Sequence, residues 1–157
     1  MADDIREKII KNIQTSLEAI NGLGNYSNTF VAGSIQRFKQ SGVIATTIPF
    51  ILLHEGPVEC EPGVYPLTDK RLTIFLTVVT RHDETADSRY SEEIMNSLRA
   101  DIERAMMADT RRGENAIDTN IKRLGEIEIQ EGEPEIAAEM EFEIHYRTLR
   151  TDPGTIV

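Results

Sequence analysis

The chain has 157 residues, 39% of them hydrophobic and 28% charged, which suits one ordinary globular domain and excludes a disordered or membrane-embedded class. A formal net charge of −10 and a pI near 4.8 argue against tight nucleic-acid binding through a basic face. The single cysteine, Cys60, cannot close an internal disulfide or build a thiolate zinc site, so a reducing compartment is expected. The start of the chain lacks the basic lead and apolar core of a secretory signal, and the near-apolar run Ile48 to Leu53 is too short to span a bilayer. We therefore expect one domain over residues 1–157, with no membrane partner.

In chain order, Ile5, Ile9, Ile13, Leu17 and Ile20 draw one apolar stripe and predict a helix over 4–21. Asp4 and Glu7 have the spacing of a capping box, and Gly22 and Gly24 supply a stop. Strands are predicted at 29–38 and 47–55, the first ending near the Gln40-Ser41-Gly42 turn signal. Gly33 suggests a bulge or a close backbone approach, and Pro49 points to an edge or a strand start. Gly56-Pro57, Pro62-Gly63 and Pro66 then read as a long turn-rich loop from His54 to Lys70. A strand over 70–81 follows, apolar on both faces, which predicts a central position covered on both sides.

Ile94, Leu98, Ile102 and Met106 predict a second helix over 91–108, with Asp87, Ser88 or Ser91 as its cap. Arg111 and Arg112 are placed either to stabilise its C-terminus or to contact a partner. Two strands, 117–130 with a break at Gly125 and 136–148, meet across Glu131-Gly132-Glu133-Pro134 as a hairpin, and 149–157 is a frayed tail. The order helix, three strands, helix, two strands predicts an α+β fold, a mostly antiparallel sheet of about five strands with two principal helices packed on it.

No catalytic or metal-binding motif is present, and no cofactor is expected. His82-Asp83-Glu84 and His54-Glu55 are adjacent residues, which strand geometry would point to opposite faces, so both read as charged loops. Cys60 has no neighbouring histidine and reads as an ordinary loop residue. His145, sharing a face with Glu143 and Arg147, reads as solvated or salt-bridged.

The strongest signal is the segment Glu126 to Glu143, with eight glutamates and no lysine or arginine. Since it contributes −8 of the −10, the remainder sits near −2 and the acidity is local. Ala138, Met140, Phe142, Ile144 and Tyr146 alternate with Glu139, Glu141, Glu143, His145 and Arg147, giving one face to bury and one that presents carboxylates. With Glu126 and Glu128 on the preceding strand, like charges would oppose each other across the ladder. The run reads either as a solvated face, as a surface for a basic partner, or as a wall that repels DNA.

The layout as a whole resembles the tail terminator (tail completion, head–tail joining) proteins of tailed bacteriophages. The resemblance rests on the helix Ile5 to Ile20, on Ile48-Pro49 leading into Phe50 to Gly56, on the strand Arg71 to Arg81 before a second helix, and on Tyr146-Arg147-Thr148 with Asp152-Pro153. It implies a non-enzymatic virion subunit of the tail or neck, assembled in the host cytoplasm. Such a subunit forms a hexameric ring that caps the tail tube, stops its polymerisation and joins a head-side connector, with DNA only as transiting cargo. On that reading Glu126, Glu128, Glu139, Glu141 and Glu143 form an acidic lumen or partner face. His54, Glu55, Val58, Tyr65 and Lys70 belong to a ring or tail-tube interface loop. The alternatives are another neck or head-closure ring protein, or a small acidic module that occupies a basic groove.

Overall fold

The computed structural model describes residues 3–37, 48–83 and 85–157. The chain folds as α1 (Ile5–Glu18), β1 (Ile35–Arg37), β2 (Phe50–Pro62), β3 (Leu67–Arg81), α2 (Ser91–Ala108), β4 (Asp118–Ile129) and β5 (Glu135–Leu149). The strands form one sheet in the order β1-β2-β3-β5-β4, parallel between β1 and β2 and antiparallel elsewhere. This is an α+β fold of two helices on a five-stranded, mostly antiparallel sheet.

The apolar stripe of α1 is buried as its spacing requires, with Ile5, Ile9, Ile13 and Leu17 in the core. Only half of the expected capping box forms. Asp4 accepts from the Glu7 backbone N–H at 2.8 Å, but the Glu7 carboxylate turns away to the Arg37 guanidinium at 2.6 Å. The helix ends at Glu18 rather than 21, and Ile20 is buried from the segment beyond it.

The strand expected at 29–38 is confined to Ile35–Arg37 within the described residues; its end at Phe38, the Gln40-Ser41-Gly42 signal and the start of the next strand at Thr47 lie outside them. Upstream, the backbone is claimed by α2. The buried carboxylate of Asp101 accepts from the N–H groups of Ser27 (2.9 Å) and Asn28 (2.8 Å), from Asn28 Nδ2 (2.8 Å) and from Arg104 (2.7 Å). Gly33 is neither a bulge nor a close approach: its φ of +83° makes the turn into β1, and a Cβ there would meet nothing.

The turn-rich loop expected from His54 to Lys70 is a hairpin. β2 continues to Pro62 and β3 begins at Leu67, so only residues 63–66 turn. A register shift between Glu55 and Val58 absorbs Gly56-Pro57 as a β-bulge. Gly56 is required there, since a Cβ would sit 2.7 Å from Phe75 Cε2 and 3.1 Å from the Thr73 carbonyl oxygen.

β3 is central in the sheet but covered on one face only, which corrects the two-sided expectation. Leu72, Ile74, Leu76 and Val78 lie in the core, whereas Thr73, Phe75, Thr77 and Val79 are half-buried on the open face. α2 runs from Ser91 to Ala108 as predicted, burying Met95, Leu98, Ile102, Ala105 and Met106, with Ile94 only partly covered. None of the expected N-caps is used: Tyr90 holds that position without a side-chain hydrogen bond. At the other end Arg112, fully buried, folds back to donate to the Met106 carbonyl, while Arg111 pairs with Glu114. The tail also turns back, Ile156 bridging to Thr148.

Candidate interaction surface

The alternation along β5 has the predicted sides. Ala138, Met140, Phe142, Ile144 and Tyr146 are buried, and Glu139, Glu141, Glu143, His145 and Arg147 lie half-covered on the open face. The expected opposition of like charges does not occur. Two register shifts in β4, between Ile121 and Arg123 and between Leu124 and Ile127, set Arg123 opposite Glu141, Asn120 opposite Glu143 and Glu128 opposite Ala137. Gly125 therefore marks a bulge rather than a break, and it lets the strands approach: a Cβ there would lie 2.9 Å from the Glu139 carbonyl oxygen.

The open face is consequently a ladder of ion pairs rather than a bare acidic wall. Glu143 meets Arg71 at 3.1 Å and Lys122 at 3.5 Å. Arg123 bridges Glu139 at 3.3 Å and Glu141 at 3.5 Å. At the next rung Asp69 accepts from Arg147 at 2.7 Å and faces His145 Nε2 at 3.3 Å. The Arg147 guanidinium holds the Asp69 carboxyl below its ordinary value, with His145 adding to the effect. Of the five carboxylates expected to act together, Glu139, Glu141 and Glu143 are thus paired. Glu126 and Glu128, with Glu131 and Glu133 in the turn, carry no ion pair among the described residues.

The five residues expected on one interface loop are dispersed by the hairpin. His54 is exposed on the open face, its ring 6.2 Å from that of Phe75. Glu55 is drawn to the helix side by Arg37 at 3.1 Å and Arg6 at 3.5 Å. Val58 packs on the core. Tyr65 stands at the turn with Arg150 over its ring, and Lys70 lies over Tyr146. Burial of the Tyr146 phenol pushes its pKa up to about 12. Only Tyr65, with its neighbour Val64, remains a large exposed apolar group.

His82 and Ser91 are brought together by the β3–α2 connection, Nδ1 to Oγ at 2.7 Å. The imidazole is buried, and its Nε2 lies 3.1 Å from the Asp87 carbonyl. A carbonyl only accepts, so Nε2 carries a proton, and in the neutral ring the Ser91 hydroxyl donates to Nδ1. The ring pins the loop before α2 to the helix start and borders an open groove between this loop and the β4–β5 turn. No group of three histidine, cysteine, aspartate or glutamate side chains among the described residues converges as a metal site. Among those residues, too, no helix is long and apolar enough to cross a membrane.

A second surface was not legible as such in the sequence. On the outer strand β4, Ile121, Leu124 and Ile129, with Ile117 just before it, are 37–45% exposed. Ile121, Leu124 and Ile129 sit opposite the buried Phe142, Met140 and Ile136 of β5, so they extend the core face beyond the cover of α2. The signal that could have found them is the excess of isoleucine and leucine in a strand already identified, once its edge position was known.

These features define a class: an α+β fold with a one-sided sheet, a charge-laddered open face and an apolar outer strand. Compared with known protein families and with curated proteins, the chain matches none.

Proposed function

We propose that the chain is a tail terminator subunit of a tailed phage, a structural virion protein that forms a ring on the tail tube, stops its polymerisation and offers the surface for head joining. The observation that carries this reading is the apolar strip on β4, in a chain whose element order and strings resemble that family. Large aliphatic groups left uncovered on one face of a sheet are groups for assembly. The ion-paired open face supports a passage wall only weakly, because Glu139, Glu141 and Glu143 are already neutralised; the carboxylates left for transiting DNA are Glu126, Glu128, Glu131 and Glu133. The same four favour a second reading, an acidic module that docks in a basic groove, and a head-closure ring remains the nearer alternative within the virion.

Co-sedimentation with assembled tail tubes separates these. The terminator reading expects saturable binding at low stoichiometry, as for an end site, with only shallow dependence on salt. Association with a basic cellular protein that weakens steeply with salt, and no pelleting with tubes, would replace it by the acidic module.

A further inference from the structure

Cys60, Lys70 and Tyr146 stand directly opposite one another on β2, β3 and β5, so their side chains form one row across the core face of the sheet. The start of α1 meets that row, and Asp4, Arg6, Cys60, Lys70 and Tyr146 line a cavity of about 230 Å³ between helix and sheet. A space of this size is smaller than the pockets that enclose drug-sized molecules, so it suits a small ion or a single functional group.

The polar groups in the cavity are not used up by the fold. Tyr146 is 3% exposed, yet its hydroxyl makes no hydrogen bond among the described residues. Burial keeps the phenol protonated, with its pKa pushed up to about 12, so Oη has a proton to offer. Buried donors are ordinarily paired, and this one faces the cavity. Lys70 forms no ion pair among the described residues, and its Nζ lies 5.8 Å from the centre of the Tyr146 ring. Arg6 meets Glu55 only at 3.5 Å, with half of its side chain exposed. Asp4 is the carboxylate in the lining, and it is engaged with the Glu7 N–H at 2.8 Å as the cap of α1. Two cations therefore stand against one carboxylate, and the positive end of the α1 dipole adds to them.

We propose that this cavity binds a small oxyanion, a phosphate or a carboxylate, which Lys70 and Arg6 neutralise and to which the Tyr146 hydroxyl donates a hydrogen bond. A metal cation would be repelled by the two basic side chains, and an apolar ligand would leave Oη buried without an acceptor.

Titration of the full chain with inorganic phosphate and, separately, with acetate tests this, at an ionic strength held constant with chloride so that general screening is matched. In amide-detected NMR the signals of Arg6, Cys60, Lys70 and Tyr146 should shift together and saturate. Saturation by phosphate alone assigns a phosphoryl group and saturation by acetate a carboxylate; either supports the site. Tyr146→Phe removes only the hydroxyl, so it should melt no lower than the unaltered chain and bind the anion about tenfold more weakly. Lys70→Met should weaken binding as well, whereas Lys122→Met, on the open face, should not. Shifts that fail to saturate with both anions, or that chloride alone reproduces, would overturn the proposal. So would unchanged affinity in Tyr146→Phe and Lys70→Met, or a marked fall in melting temperature for Tyr146→Phe, which would show that the hydroxyl is already engaged within the fold.

Discussion

At the scale of single residues, the fold depends on a few buried polar groups that are fully partnered. Asp101 accepts four hydrogen bonds and ties the segment before β1 to α2. Replacing it with alanine strands three donors from Ser27 and Asn28, and we expect a loss of about 3 kcal/mol in urea unfolding. Ser91→Ala leaves His82 Nδ1 buried without its hydroxyl partner, with an expected cost of about 1–2 kcal/mol in the same measurement. The Asp69–Arg147 pair makes a directional statement about pH. The folded carboxyl titrates below its ordinary 3.8, so the pair's contribution is complete above that value and is lost as pH falls through the lowered folded one. Arg147→Gln should move the Asp69 midpoint upward toward the ordinary value in carboxyl-detected NMR; an unmoved midpoint would assign the shift to another cause.

At the scale of elements, what the sequence made legible was local periodicity on a one-sided surface. β5 alternates strictly because one face is core and the other open, and α2 and the general order of strands follow from patterns of the same kind. Three features were not legible, each because the deciding partner is distant in the chain. Thr29, Phe30 and Val31 have strand-like composition, but the backbone just before them is held by Asp101, some seventy residues away. The prolines and glycines between His54 and Lys70 mark a loop in most settings. Here Gly56-Pro57 falls in a bulge of a strand whose outer neighbour β1 reaches only to Leu53 among the described residues, so the missing N–H of Pro57 breaks no described ladder bond. The glutamate run was visible, but its ion pairs depend on a register set by two bulges. Gly125→Ala tests that register: the added Cβ presses on the Glu139 carbonyl, and we expect about 1–3 kcal/mol of destabilisation in thermal melts.

At the scale of the molecule, the open face changes the meaning of the acidic segment. Exchanging Glu139, Glu141 and Glu143 for lysine would set cations against Arg71, Lys122 and Arg123. The triple variant should therefore lose on the order of 2–3 kcal/mol in chemical unfolding. Glu126→Lys with Glu128→Lys breaks no ion pair among the described residues and should leave stability nearly unchanged. That makes it the variant to use when DNA transit through an assembled particle is measured. Electron microscopy of tail tubes grown from tube protein in the presence of the purified chain tests the terminator proposal most directly. The account expects tubes arrested at short length with ring density at one end; tubes that elongate freely with bare ends would contradict it.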